Sequence, residues 1–342
     1  MNKTGITVSI FCYNSENRIT ETLQHLSRQK FSTSVDWEIL LIDNNSKDQT
    51  IKVAEQVWHS CNCAVPFRIV REEQQGLSYS KMRAINEANY DIVVFVDDDN
   101  WLFDNYVETA FTFMIQHPEV GLCGGQSIAK YEEMPAEWFD EFKNIIAIGK
   151  QGSKTEDVTS DRQFVWGAGS VIRKSAIVKA INYGFKIITT GRKGGKLLAG
   201  DDLELSNAIR ASNYKIYYNE SLILYHYIPG FRVQWPYIKK IYKGFGASSI
   251  WLDIYDWEFK KKYTSLPVFI LWCRHFLAFV KPLIKFNFLL LFPRFFPMGS
   301  KLATQIEYSL GRLRELFSTP YGEYKEKATI VRCFFDSLRT IK

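Results

Sequence analysis

The segment Asp91-Ile92-Val93-Val94-Phe95-Val96-Asp97-Asp98-Asp99-Asn100 joins a short apolar run to three consecutive carboxylates. The run is too short for a helix, and its β-branched residues predict a buried strand. A triplet at the end of that strand holds like charges close together at an edge of the sheet, so it needs a cation. A divalent metal with oxygen ligands is the usual cation, and open α/β sheets bind nucleotides and phosphates at the carboxyl ends of their strands. The alternative is a solvated acidic turn.

The composition predicts a folded protein with two differently charged parts. The chain has 342 residues, of which 46% are apolar, enough for one large domain or two. Its six cysteines lack zinc-ribbon spacing, and no apolar signal region precedes the first strand-like segment. Both features favour a reducing, cytosolic compartment. Residues 1–231 hold 24 Lys and Arg against 29 Asp and Glu, whereas residues 232–342 hold 19 against 8. The basic part predicts an anionic partner, either lipid head groups or nucleic acid.

Short apolar runs alternate with amphipathic stretches from residue 6 onward, which is typical of βαβ units and a largely parallel sheet. The predicted strands of the first half are Ile6–Cys12, Trp37–Ile42, Phe67–Val70 and Ile92–Val96. The predicted helices are Arg18–Gln29, Thr50–His59, Ser78–Asn89 and Asn105–Gln116. In the second half the predicted strands are Val120–Ile128, Lys215–Tyr218 and Leu222–Tyr227, with a helix over Asp202–Ala211. Glycines and basic residues predict a mobile loop near 183–199, which is either a substrate-gated lid or a linker.

The chain beyond Trp235 is predicted to be helical, and Leu266–Pro297 is its most apolar and aromatic segment. Four basic residues keep every uncharged run below the roughly 18 residues that a membrane-spanning helix needs. Apolar turns that carry scattered cations and prolines instead favour one or two helices lying in a membrane interface. An ordinary helical cap on the preceding domain is the alternative. Because apolar residues accompany the charge, a lipid surface is preferred to nucleic acid as the partner.

Polar loops follow the first two predicted strands, at Phe11–Asn17 and Asp43–Asp48. Neighbouring loops at the carboxyl ends of strands form a crevice that fits a base and a ribose, with Asp43 accepting a hydrogen bond from the base. Capping of the next helix is the alternative role of Asn14 and Ser15.

A third element, Gly76-Leu77-Ser78-Tyr79-Ser80-Lys81, opens the helix before the triplet strand. Gly76 permits close approach of the backbone to a ligand, and Lys81 lies one turn inside the helix, where it is expected to meet a phosphate or a ribose. One helix then leads to the triplet, so all of these loops can close one site.

Four motifs in this order, Cys12-Tyr13-Asn14-x-Glu16, Leu41-Ile42-Asp43-Asn44-x-Ser46-x-Asp48, Gly76-Leu77-Ser78 and Asp97-x-Asp99, resemble the family-2 glycosyltransferases of GT-A fold. The resemblance covers roughly residues 6–250. It implies an α/β fold with a Rossmann-like, mixed and mainly parallel central sheet flanked by helices, to which this chain adds a C-terminal helical extension. It also implies a nucleotide-diphosphate sugar, often uridine-linked, and Mn²⁺ or Mg²⁺ on its pyrophosphate.

Carried over to this chain, the resemblance places Asp97 near the ribose and Asp99 on the metal, with Asp98 at the variable middle position. The nucleotide-sugar site that it implies consists of Cys12, Tyr13, Asn14, Glu16, Asp43, Ser78, Lys81, Asp97, Asp98 and Arg232. The chain departs from the family pattern at Phe11-Cys12, where Pro is usual, and at Lys81-Met82, where Arg-Asn is usual. Lys81 keeps the positive charge but lacks the planar fork of arginine.

The segment Ala199-Gly200-Asp201-Asp202-Leu203-Glu204-Leu205 resembles the family's acidic motif, whose second carboxylate is the general base. Inverting transfer needs one base beside the acceptor hydroxyl, and the resemblance assigns that role to Asp202, with Asp201 on the acceptor side. Taken from the residues alone, Asp202 is equally an N-cap aspartate.

Trp166-Gly167-Ala168-Gly169 resembles the family's acceptor-side loop, where an aromatic ring can stack on a sugar. A buried tryptophan followed by turn glycines is the alternative. His226 is predicted to complete the metal shell, and Arg232 to neutralise the diphosphate leaving group. A purely structural histidine is the alternative for His226.

Together these features predict a catalytic domain over residues 1–231, with a nucleotide-sugar half to about 118 and an acceptor half from about 119. Residues 232–342 form the basic helical region, which would hold a cytoplasmic protein on the inner face of the cell membrane. The predicted activity is metal-dependent, inverting transfer of a sugar, from a UDP-linked donor in the first instance, to a hydroxyl of a glycan or a lipid-linked acceptor.

Two alternatives to this activity stay open. A nucleotidyltransferase would be expected to carry a phosphate loop rich in Gly, Lys or Arg after the first strand, and Phe11–Asn17 has none of these residues. A membrane-associated scaffold without activity would have no use for Asp99 and Asp202.

Overall fold

The computed structural model describes residues 4–192, 199–260, 267–275 and 296–340. In these residues nine strands form one mixed sheet. The strands are β1 Ile6–Cys12, β2 Trp37–Asp43, β3 Phe67–Arg71, β4 Ile92–Asp97, β5 Asn100–Leu102, β6 Val120–Tyr131, β7 Glu156–Asp157, β8 Val171–Arg173 and β9 Lys215–Ile228. The helices are α1 Ile19–Ser27, α2 Thr50–Ser60, α3 Leu77–Glu87, α4 Tyr106–Gln116, α5 Lys174–Asn182, α6 Asp201–Ala211, α7 Trp235–Lys260, α8 at residues 268–275, α9 Lys301–Ser318 and α10 Tyr321–Arg339.

The first half of the sheet has the order β3-β2-β1-β4, and all of its pairings are parallel. The register places Cys12 beside Asp43 and Phe11 beside Asp97. The carboxyl ends of β1, β2 and β4 therefore lie at one edge, as the sequence predicts. Alternate residues of β4 enter opposite cores, with Phe95 on one face and Val94 on the other. Burial on both faces explains why this strand reads as a continuous apolar run.

The second half of the sheet continues from β4 in the order β8-β6-β9-β5. The pairing of β6 with β9 is parallel, whereas β8 and β5 pair antiparallel with their neighbours. The predicted mixed sheet is confirmed, and its parallel pairings are the longer ones. The two predicted strands at 215–227 are one strand, β9, whose register against β6 shifts between Gly124 and Gln126.

Strand β5 follows the triplet directly and was not predicted. It pairs Asn100 with His226 of β9, so the end of the triplet meets a strand more than a hundred residues later.

The predicted C-terminal helical extension is confirmed in the described residues. Tyr324 and Phe334 of α10 share a core with Leu205 of α6 and Ile250 of α7, so the described part of the extension packs on the α/β domain. Most of the predicted interfacial segment 266–297 lies outside the described residues, as do residues 193–198 of the predicted loop. In the described parts of the chain, no helix combines the length and the apolar character needed to cross a membrane.

Candidate active site

The loops after β1 and β2 are joined by reciprocal hydrogen bonds. The Asn14 N–H donates to Ser46 Oγ at 3.0 Å, and the Lys47 N–H donates to Asn14 Oδ1 at 2.9 Å. The Gln49 N–H donates to Glu16 Oε2 at 2.9 Å. Asn14 has a φ of 50°, a left-handed conformation that asparagine tolerates better than most residues. The two loops therefore form one rigid wall at the sheet edge.

The side chains of Asn14 and Ser15 do not cap the next helix, although the Ser15 carbonyl accepts the Arg18 and Ile19 N–H groups. Helix α1 begins at Ile19, and its N-cap residue, Arg18, makes no side-chain capping bond. Ser15 instead donates its hydroxyl to Asp98 Oδ2, which ties the first loop to the triplet.

A buried asparagine, Asn44, which the sequence analysis named in a motif without assigning it a role, joins β2 to α3. Asn44 donates to the carbonyls of Glu72 at 3.2 Å and Gln74 at 2.9 Å, and its Oδ1 accepts the Gly76 N–H at 2.7 Å. Gly76 has a φ of 141°, and a Cβ there would lie 2.6 Å from the Thr190 carbonyl oxygen. The glycine motif is therefore fixed between the β2 loop and the chain at residue 190.

The other predicted donor residues on this side differ in exposure. Cys12 and Asp43 are buried, and Asp43 accepts the Ser46 N–H at 3.3 Å. Tyr13 is exposed, and its hydroxyl accepts from Gln75 Nε2 at 3.3 Å. Ser78, unlike Tyr13, is fully buried, as Asp43 is.

Arginines bind two of the three aspartates in the triplet. Arg18 Nη2 lies 2.6 Å from Asp98 Oδ2, and Arg232 Nη1 lies 2.8 Å from Asp99 Oδ2. His226 Nε2 lies 3.5 Å from the other Asp99 oxygen. Burial opposes ionisation of Asp99, but Arg232 and His226 together hold its pKa well below its usual range. Basic side chains therefore neutralise part of the negative charge of the triplet. Arg18 is one of them, and the sequence analysis did not identify it.

Asp97 differs from its two neighbours because it has no ion pair within 4.0 Å among the residues that the structure describes. Burial and the neighbouring Asp99 carboxylate raise its pKa to about 6. Asp97 is thus the carboxylate of the triplet that no described arginine or histidine binds, which leaves it available to a ligand.

The donor set around the triplet fits a divalent cation only with help from a substrate. No group of three or more His, Cys, Asp or Glu side chains in the described residues is arranged to hold a metal. Asp97, Asp99 and His226 nevertheless offer oxygen and imidazole donors, which Mn²⁺ accepts. Mg²⁺ commonly binds through one or two carboxylates completed by substrate phosphates and water. The residues therefore fit a metal that arrives with a diphosphate.

The second acidic motif forms the start of α6. Gly200 is the N-cap residue, with a φ of 128°, and Asp202 is the second helical residue, so the N-cap alternative for Asp202 is wrong. Asp202 Oδ2 accepts the Gly167 N–H at 2.8 Å, while its Oδ1 contacts Lys81 Nζ. The same ammonium lies 2.5 Å from Asp201 Oδ2.

Lys81 is predicted to meet a phosphate or a ribose, but its ammonium instead lies between the two carboxylates of α6. Its side chain is only 2% exposed, whereas that of Asp202 is 32% exposed. Although burial opposes protonation, Asp201 and Asp202 raise the pKa of Lys81 above its ordinary value, so it is a permanent cation.

The surroundings of Asp201 and Asp202 shift the pKa values of these two carboxylates in opposite directions. Despite its burial, Asp201 has a lowered pKa because of the Lys81 ammonium. Burial raises the pKa of Asp202, and so does the charge of Asp201, against the opposing effect of Lys81. When two neighbouring acids are shifted apart in this way, the one with the raised pKa is suited to take up a proton. Asp202 is also the more exposed member of the pair.

Trp166 and Gly167 lie directly beside this pair. Trp166 is half-buried, and its backbone N–H donates to Gln151 Oε1 at 2.7 Å. The Arg162 guanidinium lies 4.9 Å from the centroid of its ring. A Cβ at Gly167 would overlap Asp202 Oδ1, which explains the glycine at this position.

Comparison with known proteins points to one family. The sequence model of "Glycosyl transferase family 2" matches residues 7–181. Staphylococcus aureus TarS, a poly(ribitol-phosphate) beta-N-acetylglucosaminyltransferase, is 30% identical over 105 residues, which are 31% of this chain and 18% of TarS. Bacillus subtilis EpsH, a putative glycosyltransferase, is 27% identical over 36% of this chain and 34% of its own length. This chain thus spans only a fifth to a third of these two relatives.

Two further similarities cover more of the chain. A Haloferax volcanii glucosyl-dolichyl phosphate glucuronosyltransferase is 19% identical over 71% of this chain and 75% of its own. The crystal structure of TarS residues 1–349 in complex with UDP-GlcNAc has a TM-score of 0.53 at 16% identity, covering 98% of this chain and 90% of that one. This likeness is one of fold, and it confirms the predicted fold class.

Proposed function

The chain belongs to glycosyl transferase family 2, and on that premise we propose that it transfers a sugar from a nucleotide-diphosphate sugar to a hydroxyl group, with inversion. The observation that carries the proposal is the pairing of Lys81 with Asp201 and Asp202 beside the triplet. In this pairing the Lys81 ammonium keeps Asp201 ionised, while Asp202 is suited to accept a proton. A nucleotidyltransferase would have no need for such a base on the acceptor side.

For the donor we propose a uridine diphosphate sugar held along the loops after β1, β2 and β4. The structural neighbour TarS has been crystallised with UDP-GlcNAc, which supports a uridine donor by similarity of fold. Asp43 at the end of β2 would accept from the base, and the exposed Tyr13 would lie at the rim of the crevice. Asp97, whose carboxylate has no ion pair among the described residues, would contact the ribose.

For the cofactor we propose Mn²⁺ or Mg²⁺, held by Asp99 and His226 together with the donor diphosphate. When bound, such a cation neutralises charge that collects on the leaving phosphate. Arg232, which is held against Asp99, would face the same charge from the protein side.

For the chemical step we propose that Asp202 removes the proton of the acceptor hydroxyl. The acceptor oxygen forms a bond to the anomeric carbon as the bond from that carbon to the diphosphate oxygen breaks. The nucleoside diphosphate leaves with the bonding electron pair, and Asp202 keeps the proton. Gly167 and Lys81 each hold one Asp202 oxygen, so the carboxylate is oriented before the acceptor arrives.

For the acceptor we propose a glycan or a lipid-linked molecule, reached at the inner face of the cell membrane. The basic residues of 232–342 support this location, since a surplus of positive charge attracts anionic lipids. The intact protein is expected to bind vesicles that contain phosphatidylglycerol and to leave them as salt rises. Equal binding to neutral vesicles would contradict the electrostatic part of this proposal.

The activity is tested by incubating the purified protein with a panel of nucleotide sugars, Mn²⁺ and candidate glycan acceptors. Release of nucleoside diphosphate together with a glycosylated product supports transfer. Release of pyrophosphate would support the nucleotidyltransferase, and the absence of both products would support the scaffold.

Two substitutions test the assigned roles. Asp202→Asn is expected to leave donor binding nearly intact and to lower turnover by about 10²-fold or more, the usual effect of losing a general base. Asp99→Asn is expected to abolish the metal-dependent part of donor binding. Near-normal turnover in the first variant would move the base elsewhere, and unchanged donor affinity in the second would exclude Asp99 as a metal ligand.

A further inference from the structure

The chain at residues 190–192 bridges the starts of α3 and α6. The Ser78 N–H donates to the Thr190 carbonyl at 3.4 Å, and the Leu77 N–H donates to the Arg192 carbonyl at 3.3 Å. On the other side, a Cβ at Gly191 would lie 3.4 Å from Asp201 Cβ. These three residues, which we name the bridge, therefore connect the helix that begins at the glycine motif with the helix that carries the acidic pair.

A buried carboxylate holds the residues just before the bridge. Glu204 is fully buried, and its Oε1 accepts the Ile188 N–H at 2.7 Å and the Tyr255 hydroxyl at 2.9 Å. Its Oε2 accepts both the N–H and the hydroxyl of Thr189, at 3.1 Å and 2.5 Å. Four hydrogen bonds to one carboxylate fix the direction in which the chain enters the bridge, which limits the positions that Arg192 can take.

Arg192, the last residue of the bridge, is an exposed cation. Its side chain is exposed and makes no ion pair within 4.0 Å among the described residues. Its charge nevertheless favours the ionised forms of Asp97, Asp99 and Asp201. Arg192 is therefore close enough to act on carboxylates of both the donor half and the acceptor half.

Three other cations of the site are already bound to carboxylates. Arg18 is held by Asp98, Lys81 lies between the two aspartates of α6, and Arg232 is paired with Asp99 and is 15% exposed. An incoming diphosphate must compete with a short ion pair for each of them. Arg192, in contrast, is exposed and has no carboxylate partner within 4.0 Å among the residues that the structure describes.

We propose that Arg192 binds the diphosphate of the donor and stays on it as the leaving group departs. The inference rests on the proposed function and adds a residue to it. A guanidinium offers two parallel N–H groups that match phosphate oxygens, and an exposed arginine that binds an anion gains more than one that must first break a buried pair. Because the bridge lies between the glycine motif of α3 and the acidic pair of α6, the guanidinium would reach the diphosphate from the side on which the sugar leaves.

The test compares binding of nucleoside diphosphates with binding of the matching nucleosides. UDP, GDP, CDP and dTDP are titrated into the wild-type protein by calorimetry, with Mn²⁺ and with EDTA, and the tightest is carried forward with its nucleoside. Arg192→Gln is expected to weaken binding of the diphosphate at least tenfold, which is about 1.4 kcal/mol, because it removes hydrogen bonds between two charged groups. Binding of the nucleoside is expected to stay unchanged, and Arg192→Lys is expected to lie between the two.

Lys186→Gln is the matched control, because Lys186 is an exposed cation six residues earlier in the same segment. It removes the same charge and should leave diphosphate binding unaltered. If Arg192→Gln weakens binding of the diphosphate and of the nucleoside equally, Arg192 acts in folding or in base binding, and the inference is overturned. Equal effects of Arg192→Gln and Lys186→Gln on diphosphate binding would also overturn it. If the wild-type protein binds none of the four diphosphates, the proposed function itself fails, and the inference fails with it.

Discussion

Replacing Lys81 by Met tests whether the buried ammonium keeps Asp202 ionised. Two unit charges about 4 Å apart attract by about 4 kcal/mol at an effective dielectric constant of about 20. Because Asp202 is 32% exposed, we reduce this attraction by about half for solvent screening, to roughly 2 kcal/mol. That energy corresponds to a roughly 30-fold change in the protonation equilibrium of Asp202, in the direction that raises its pKa. Removal of a cation disfavours the ionised carboxylate, so the pKa rises and the base becomes protonated at a higher pH.

The assay is the rate of nucleoside diphosphate release at saturating donor and acceptor, measured from pH 5.5 to 9. The acidic limb of the wild-type profile is expected to move to higher pH in Lys81→Met, with activity largely recovered at the alkaline end. Thermal unfolding must accompany the kinetics, because removing one partner of a buried ion pair costs about 3–5 kcal/mol of stability.

The double variant Lys81→Met/Asp201→Asn separates charge from folding. It removes one charge of each sign, so it relieves the repulsion between Asp201 and Asp202 that the single variant leaves behind. Its acidic limb is expected between those of the wild type and the single variant. If all three proteins are folded and share one pH midpoint, then Lys81 does not control the protonation that limits turnover.

Two further predictions concern stability. Gly311→Ala should lower the melting temperature, because a Cβ there would overlap the Lys243 carbonyl where α9 meets α7. Overpacking of this kind costs about 1–3 kcal/mol, which outweighs the roughly 1 kcal/mol that replacing glycine by alanine contributes to a helix. Gly322→Ala in α10, whose Cβ would meet no atom within 4 Å, should leave the melting temperature unchanged or raise it, and an equal loss in both variants would contradict the packing argument. Burial raises the pKa of Glu204 from 4.5 to about 7 against four hydrogen bonds. Between pH 4.5 and 7 the folded state therefore keeps a proton on Glu204 that the unfolded chain releases. The free energy of unfolding of the wild type, relative to that of Glu204→Gln, should fall as pH rises through this range. Urea unfolding measures this difference, and a difference that does not change with pH would exclude the titration of Glu204.

The first half of the fold was predictable because its signals are local. A parallel strand covered on both faces reads as an unbroken apolar run, and Ile6–Cys12 in the sequence is β1 in the structure. The loops that follow such strands must meet at one edge, whatever the exact pairing. Those two facts suffice to bring Asp43 and Asp97 together without any knowledge of the second half.

The partners of the acidic side chains were not predictable from local signals. Lys81 pairs with carboxylates 120 and 121 residues away, and Arg18 pairs with Asp98 across 80 residues. Many lysines and arginines of this chain are chemically equivalent candidates for each pair, and only the packing of α1 and α3 on the sheet selects among them. The prediction divided strand β9 at Asn219-Glu220-Ser221, whereas the structure accommodates these residues within one strand by a register shift against β6.

The charges around the site indicate when a metal should bind. The five aspartates of the triplet and of α6 face four cations, which leaves one negative charge; those cations are Arg18, Lys81, Arg192 and Arg232. A bound diphosphate adds about two negative charges, and a divalent cation removes two, which restores the charge of the free site.

From this balance, and from the lack of a three-ligand cluster in the described residues, we expect Mn²⁺ to bind weakly to the free protein and at least tenfold more tightly in the presence of UDP. Titration of free Mn²⁺ by electron paramagnetic resonance, with UDP and with uridine, measures both affinities, and uridine should give no enhancement because it carries no phosphate. Tight binding of Mn²⁺ without UDP would show that the protein alone completes the metal shell. The two arginines of the triplet would then have to give up Asp98 or Asp99 to the metal.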